Sequence, residues 1–231
     1  MTKSSTSNEP ARVRQMFSCI SRRYDLANHA LSCGIDLYWR ERAANIVASW
    51  RPSKIVDLAT GTGDLALALQ KKLPDSEVTG VDYLPEMLKL AQLKGVHRTI
   101  LADAMKLPFA DSSFDCVTIS FGLRNLENCE RALAEMSRVL RPGGHLLVLE
   151  FSLPRRSLVR AIYRFYLHQC VPLLGSFLTK KKSAYDYLGD SIEKFPNGPA
   201  MTALIEASGF KAALHQPLSY GIATIYTAES L

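Results

Sequence analysis

Short apolar runs alternate with amphipathic stretches along most of this chain. Residues 54–58, 77–82, 98–102, 114–120 and 144–151 are rich in consecutive apolar positions, as in HLLVLEF, the pattern of strands buried on both faces. Between them, residues 64–73, 85–94 and 127–140 show the wider spacing of helices that cover a sheet. The last of these is predicted to stop at Arg141, Pro142, Gly143 and Gly144, a helix-ending sequence that feeds HLLVLEF. Three further helices, 11–21, 24–31 and 36–49, are predicted ahead of the first strand, with Arg51 and Pro52 as the break. At the other end, Pro196, Asn197 and Gly198 precede a helix at 199–208 and strands at 210–215 and 221–228, expected as an antiparallel hairpin on the sheet edge.

This alternation predicts an α/β fold: a doubly wound, mostly parallel, seven-stranded sheet of Rossmann-like type, with N-terminal helices and a helical insertion before the last two strands. Residues 1–9 (MTKSSTSNE) are expected to be a disordered tail, and 10–231 a single domain with a helical cap at 10–50 and the insertion at 152–197.

The chemistry concentrates where the first strand ends. In KIVDLATGTGD, Gly61 and Gly63 allow a tight turn and close approach of a ligand, and Asp64 opens the next helix. Gly61, Gly63 and Ala66 fit the dinucleotide pattern, so a nicotinamide or flavin cofactor is one reading. Asp57 and Asp64, however, would set two like charges against a pyrophosphate, whereas a ligand with an amine and a sulfonium would welcome both. S-adenosylmethionine is such a ligand. Asp82 falls at the second strand end, at the spacing where an acid meets ribose hydroxyls, and it would repel a 2′-phosphate. Asp103, after the third strand, is placed to accept from the exocyclic amine of adenine. Each of these acids could singly be a turn cap. Three of them at successive strand ends argue for a ligand.

Composition narrows the class. With 47% hydrophobic residues in 231 the chain can bury a sizeable core. Cys19, Cys33, Cys116, Cys129 and Cys170 form no CxxC pair, and His29, His97, His145, His168 and His215 are equally scattered, so reduced thiols in a cytoplasmic protein are expected and no metal site. No apolar run suffices to cross a bilayer, and the opening residues lack a signal peptide's apolar core.

The net charge of +6 is a local property. Arg155, Arg156, Arg160, Arg164, Lys180, Lys181 and Lys182 lie in an acid-free segment, and removing these seven from the 28 basic residues leaves 21 against 22 acids. Arg156, Arg160 and Arg164 form one helical stripe, with Leu158, Ile162 and Phe165 facing elsewhere. Such a segment suits transient contact of 155–182 with an anionic membrane surface, here the inner face of the cytoplasmic membrane. The alternative is a core-facing helix with a solvated basic side. Nucleic acid is not expected as a partner, because the charge occupies one segment. Self-association as a homodimer is left open.

YDLANHALSCGIDLYWR (24–40), VDLATGTGD (56–64), LPFADSSFDCVTISFGLRN (107–125), EMSRVLRPGGHLLVLEFSLP (135–154) and YLGDSIEKFPN (187–197) together resemble the ubiquinone/menaquinone biosynthesis C-methyltransferase family over nearly the whole chain. The glycine loop and RPGG are shared by many class I methyltransferases, while FGLRN and the EFSLP stretch are more particular. The resemblance implies methyl transfer from S-adenosylmethionine to a ring carbon of a prenylated quinol. It also implies cofactor contacts at Thr62, Asp82, Asp103, Ala104 and Ser120, in agreement with the acids reached from charge and spacing. Between Met87 and Asp103 the chain is shorter than the family pattern, so the second helix or the loop after it is expected to be trimmed.

A ring carbon becomes nucleophilic when a neighbouring hydroxyl gives up its proton, which calls for a fixed positive charge near that oxygen. Arg124 is the expected group, with Asn125 on the other quinol oxygen; Arg124 could instead form a structural bridge to Glu127 or Glu150. Tyr24, Asp25 and Asn28 are candidates for closing the site or taking the proton, and equally for packing and capping. A nicotinamide oxidoreductase and a non-catalytic membrane-surface binding protein stand as the alternatives.

Overall fold

The computed structural model describes residues 29, 31–32, 34–174 and 182–231, with side chains left undescribed at 182–186. The predicted helices 11–21 and 24–31, apart from a few residues of the latter, and the candidates Tyr24, Asp25 and Asn28 lie outside the described residues. So do Lys180 and Lys181 of the basic segment.

The expected fold is observed. Strands β1 (Lys54–Leu58), β2 (Glu77–Asp82), β3 (Arg98–Leu101), β4 (Phe114–Ser120), β5 (Leu140–Phe151), β6 (Phe210–Leu218) and β7 (Ala223–Ser230) form one sheet in the order β3-β2-β1-β4-β5-β7-β6. The first five are parallel, and β7 runs antiparallel between β5 and β6. Helices α1 (Ile35–Trp50), α2 (Asp64–Lys72), α3 (Pro85–Lys94), α4 (Cys129–Val139), α5 (Ser157–Phe165), α6 (Lys182–Lys194) and α7 (Pro199–Ala207) cover it.

Alternate residues of each strand feed two cores. Val56, Leu58, Val117, Ile119, Leu146 and Val148 pack against Leu133 and Met136 of α4 and Met201 and Ile205 of α7. Ile55, Cys116, Leu147 and Leu149 pack against Trp39 and Val47 of α1 and Leu65 and Leu69 of α2. Apolar residues are needed at consecutive positions because both faces are dry. A third, smaller cluster of Tyr163, Leu167, Val171 and Ile192 lies within the insertion.

Two expectations need adjustment. The helix expected at 127–140 runs Cys129–Val139, started by Asn128, whose side chain accepts from the Arg131 N–H at 2.8 Å. It ends at Leu140, already extended, and ArgProGlyGly is a bulge inside β5: Phe114 pairs with Leu140, then Cys116 pairs with His145. Pro142 cannot donate to a ladder and Gly143 takes φ 73°, so the strand swells there and does not begin after it. Between α3 and β3 the chain makes a short link, 95–97, opened by Gly95 at φ 107°.

Candidate functional site

Strand order reverses between β1 and β4, and a cavity of about 560 Å³ opens beyond their carboxyl ends, where such sheets place ligands. Its polar end is lined by Gly61, Thr62, Asp64, Asp82, Asp103, Ala104 and Ser120. The structure therefore brings together seven of the nine positions expected to hold the cofactor.

Asp82 carries the loop. Its carboxylate accepts from the Gly61 N–H at 2.8 Å and from the Leu84 N–H at 2.9 Å, tying the glycine turn of β1 to the end of β2. Burial pushes its pKa above the usual carboxylate value, against the pull of those backbone donors. Asp103, which lines the cavity, accepts from the Met105 N–H at 2.9 Å through Oδ1. Asp64 pairs with Lys94, which also reaches the Thr62 hydroxyl at 3.3 Å.

Asp57 and Gly63 do not reach the cavity. Asp57 is fully buried beneath the loop, accepting from the Thr60 and Thr118 hydroxyls at 2.7 Å each. Its carboxyl is pushed up to about 6 by burial, partly offset by those two donors. Gly80, the register partner of Asp57, leaves room for Thr60 to fold over that carboxylate, since a Cβ there would meet Thr60 Cγ2 at 3.0 Å. Gly63 has φ 88°, and a Cβ would meet Val96 Cγ2 at 2.4 Å, so its function is the close packing of α2 against the α3 to β3 link.

A second group of residues was not found from the sequence. Asp36 on α1 accepts from His29 Nδ1–H at 2.8 Å, from the Ser32 hydroxyl at 2.6 Å and from Arg40. Burial alone would raise its pKa, but Ser32, Arg40 and His29 together hold it below the usual value. His29 Nε2 lies 3.8 Å from Asp64. Arg40 lines the cavity, and its buried Nε has no hydrogen-bond partner among the described residues. The motif around Trp39 and Arg40 was the available signal, but helical periodicity cannot show which residues return to a strand end.

The floor of the cavity is aromatic. Trp39, Phe121 and Phe151 pack edge to face or tilted, with centroids 4.5–6.0 Å apart. Arg40 stands over Phe121 at 5.1 Å and Arg124 over Phe151 at 5.2 Å. Phe121 holds φ 55°, a backbone cost at the end of β4 of the kind that collects at functional sites.

Arg124 is both the bridge and the cavity residue that the sequence left as alternatives. Its Nη1 donates to Glu150 at 2.6 Å and to the Phe121 carbonyl at 2.8 Å, and its Nε to the Ser191 hydroxyl at 3.4 Å. Glu150 is the partner, and Glu127 makes no pair with it. Both side chains of the pair are almost completely buried, so the guanidinium is fixed in place. Nη2 makes no protein hydrogen bond among the described residues. Asn125 donates to the Phe121 carbonyl at 3.2 Å and accepts from the Tyr187 hydroxyl at 3.4 Å.

From Arg124 the cavity continues into the insertion, between Val159, Ile162, Tyr163, Tyr166, Leu167 and Ile192. One space thus joins an acid-lined loop, an arginine on an aromatic floor and an apolar passage.

Comparison with known proteins agrees with this arrangement. The profile of the ubiE/COQ5 methyltransferase family matches residues 4–229. A demethylmenaquinone methyltransferase of Thermus thermophilus is 45% identical over 93% of this chain and 99% of its own. A ubiquinone/menaquinone biosynthesis C-methyltransferase of Geotalea daltonii is 42% identical over 94% and 96%. Among solved structures, a methyltransferase of Thermotoga maritima described as S-adenosylmethionine-dependent superposes with TM-score 0.64 at 19% identity, covering 93% of this chain and 99% of that one. Human N-acetylserotonin methyltransferase, solved with S-adenosylmethionine, gives 0.64 at 16%, covering 93% and 57%. These last two establish a shared fold.

Proposed function

The chain belongs to the ubiE/COQ5 methyltransferase family and is an S-adenosylmethionine-dependent C-methyltransferase of quinone biosynthesis; from that premise we propose that it converts demethylmenaquinol to menaquinol, with the donor at the acid-lined end and the ring over the aromatic floor. The observation that carries this reading is the single cavity running from Asp82 and Asp103 to Arg124.

The residues present fit the donor. Asp82 offers lone pairs to ribose hydroxyls, Asp103 an acceptor for an exocyclic amine, and Asp64 and Thr62 polar atoms at the mouth of α2. The buried Nε of Arg40, without a partner among the described residues, matches a carboxylate. S-adenosylmethionine, when bound, supplies the methyl group.

The chain's own residues prepare the acceptor. A phenol gives up its proton near pH ~10 in water. The fixed guanidinium of Arg124, which lines the cavity and whose Nη2 makes no hydrogen bond among the described residues, stabilises the phenolate and brings that proton loss toward neutrality. Glu150 holds the guanidinium in place, and Asn125 and Tyr187 offer hydrogen bonds toward the second quinol oxygen. Trp39, Phe121 and Phe151 exclude water, and a dry floor favours a step in which opposite charges cancel. Tyr24, Asp25 and Asn28 close the site or take the proton; supporting this, the chain directly after them, at Leu31 and Ser32, lines the cavity.

Access to a lipid substrate is through the insertion. Leu158, Ile162 and Phe165 of α5 are 72%, 63% and 64% exposed, beside exposed Arg155, Arg156 and Arg160. An apolar face turned outward with basic neighbours supports peripheral contact with anionic headgroups, at roughly 1 kcal/mol per basic residue. No helix among the described residues is long and apolar enough to cross a membrane.

The test offers the protein reduced demethylmenaquinone and its benzoquinol analogue side by side with labelled donor. A carbon-bound methyl formed chiefly on the naphthoquinol is expected, and transfer to oxygen or to neither ring would reject the proposal.

A further inference from the structure

The apolar passage beyond Arg124 has an arrangement that the methyl transfer itself does not require. Helix α6 turns two polar residues, Tyr187 and Ser191, onto Asn125 and Arg124 at 3.4 Å each. The residues that follow each of them, Leu188 and Ile192, line the cavity instead. Residues four apart share a helix face, so Tyr187 and Ser191 form one face toward Asn125 and Arg124, and Leu188 and Ile192 form the adjoining one along the passage. Opposite it, α5 and the helical residues that continue it present Val159, Tyr163, Leu167 and Val171, the last three almost completely buried. The Tyr166 hydroxyl donates to the Leu31 carbonyl, fastening this wall to the segment beside the cofactor end.

Burial then falls away along the passage. Ile192, Val171 and Leu167 are 1–2% exposed, whereas Ile162 lines the same cavity at 63%. A residue that both lines an internal space and stands in solvent marks an opening. Leu158 and Phe165 flank it on the outside, at 72% and 64%. The volume is limited: about 560 Å³ lies within the ~300–1,000 Å³ that one drug-sized ligand fills. A donor and a bicyclic ring leave room for only a short length of chain.

Resting on the quinol reading above, we propose that the prenyl chain leaves the ring between α5 and α6, packs its first isoprene units against Tyr163, Leu167, Val171 and Ile192, and emerges at Ile162. Contact between the protein and the chain therefore ends with those first units. The remaining units stay in the lipid against which Leu158 and Phe165 lie.

Steady-state methylation of naphthoquinols bearing none, one, two, three and four isoprene units, at fixed detergent, tests the route. For the unaltered protein kcat/KM rises about tenfold for each of the first two units and then levels. A continued rise through four units, or no rise at all, overturns the proposal. Ile162→Lys changes an exposed position with little risk to folding, and the ratio of kcat/KM for the three-unit over the tail-less quinol is expected to fall by about tenfold. An equal loss on both substrates, leaving the ratio unchanged, places the chain elsewhere. Absence of methylation on every quinol by the unaltered protein rejects the quinol reading itself, and the route with it.

Discussion

The two ends of the cavity are built in opposite ways. At the cofactor end, backbone N–H groups of Gly61, Leu84 and Met105 are spent on Asp82 and Asp103 at 2.8–2.9 Å, so the backbone itself sets the position of these two acids. At the insertion end, α6 is joined to the reaction centre by the side chains of Tyr187 and Ser191, and Tyr166, just after α5, ties that wall of the passage to the Leu31 carbonyl. The remaining contact of α5 and α6 with the cavity is apolar. A small charged donor requires fixed acceptors, while a flexible hydrocarbon requires only a dry surface that can adapt. Arg124 sits where the two regimes meet, held by a buried carboxylate from the sheet and a hydroxyl from α6.

Removing Arg124 should therefore give the largest effect. Arg124→Ala leaves Glu150 buried and unpaired, at a cost of about 3–5 kcal/mol in denaturant unfolding. Turnover should fall about 10³-fold, with donor affinity kept, if the guanidinium holds the developing phenolate. Arg124→Met combined with Glu150→Leu restores stability without restoring turnover. A stable double variant with normal turnover would remove Arg124 from the chemistry and leave it only a bridge.

Asp82→Ala is expected next in size and acts on the other side of the boundary. It strands two loop N–H groups and removes acceptors from the ribose position, so calorimetric donor affinity should drop about 10²-fold. The Kd measured this way should be insensitive to Ile162→Lys. If both substitutions weaken donor binding alike, the two ends do not work independently.

Legibility in the sequence follows the same division. Strands and the glycine loop were readable because a parallel sheet needs continuous apolar runs and its turns need particular residues, and both are local demands. Asp82 and Asp103 were readable because strand ends are. Asp57 was misplaced: charge and spacing put it at the turn, but whether its side chain enters the cavity depends on Thr60 and on Thr118 of the neighbouring strand. His29, Asp36 and Arg40 form their cluster through contact with Asp64 and the cavity, which helix periodicity does not encode. The exposed face of α5 could be read as amphipathic, but whether it turned toward the core or outward was settled only by packing.

Gly63→Ala tests the rigidity of the cofactor end more gently. At φ 88° and with Val96 Cγ2 at 2.4 Å from the new Cβ, it should cost about 2 kcal/mol in unfolding free energy and loosen donor binding. A neutral result would mean that the α3 to β3 link yields easily, and that this end is as adaptable as the insertion.

The smallest effect separates structural from ligand-facing acids within the polar end. Asp57 has its folded pKa raised to about 6 by burial, above the value near 3.8 of the open chain. Between those values the folded state binds the extra proton, so this group's contribution to stability grows as pH falls through 6 and is complete below about 4. Comparing the unaltered protein with Asp57→Asn, the difference in unfolding free energy should shift in favour of the acid by about 2 kcal/mol between pH ~7 and ~4.5. Donor affinity of the variant should change little at neutral pH, because the carboxylate lies under Thr60 and not in the cavity. A flat difference curve together with a large loss of donor binding would reverse the assignment, making Asp57 a ligand contact and the Thr60 cover a feature that opens when the donor enters.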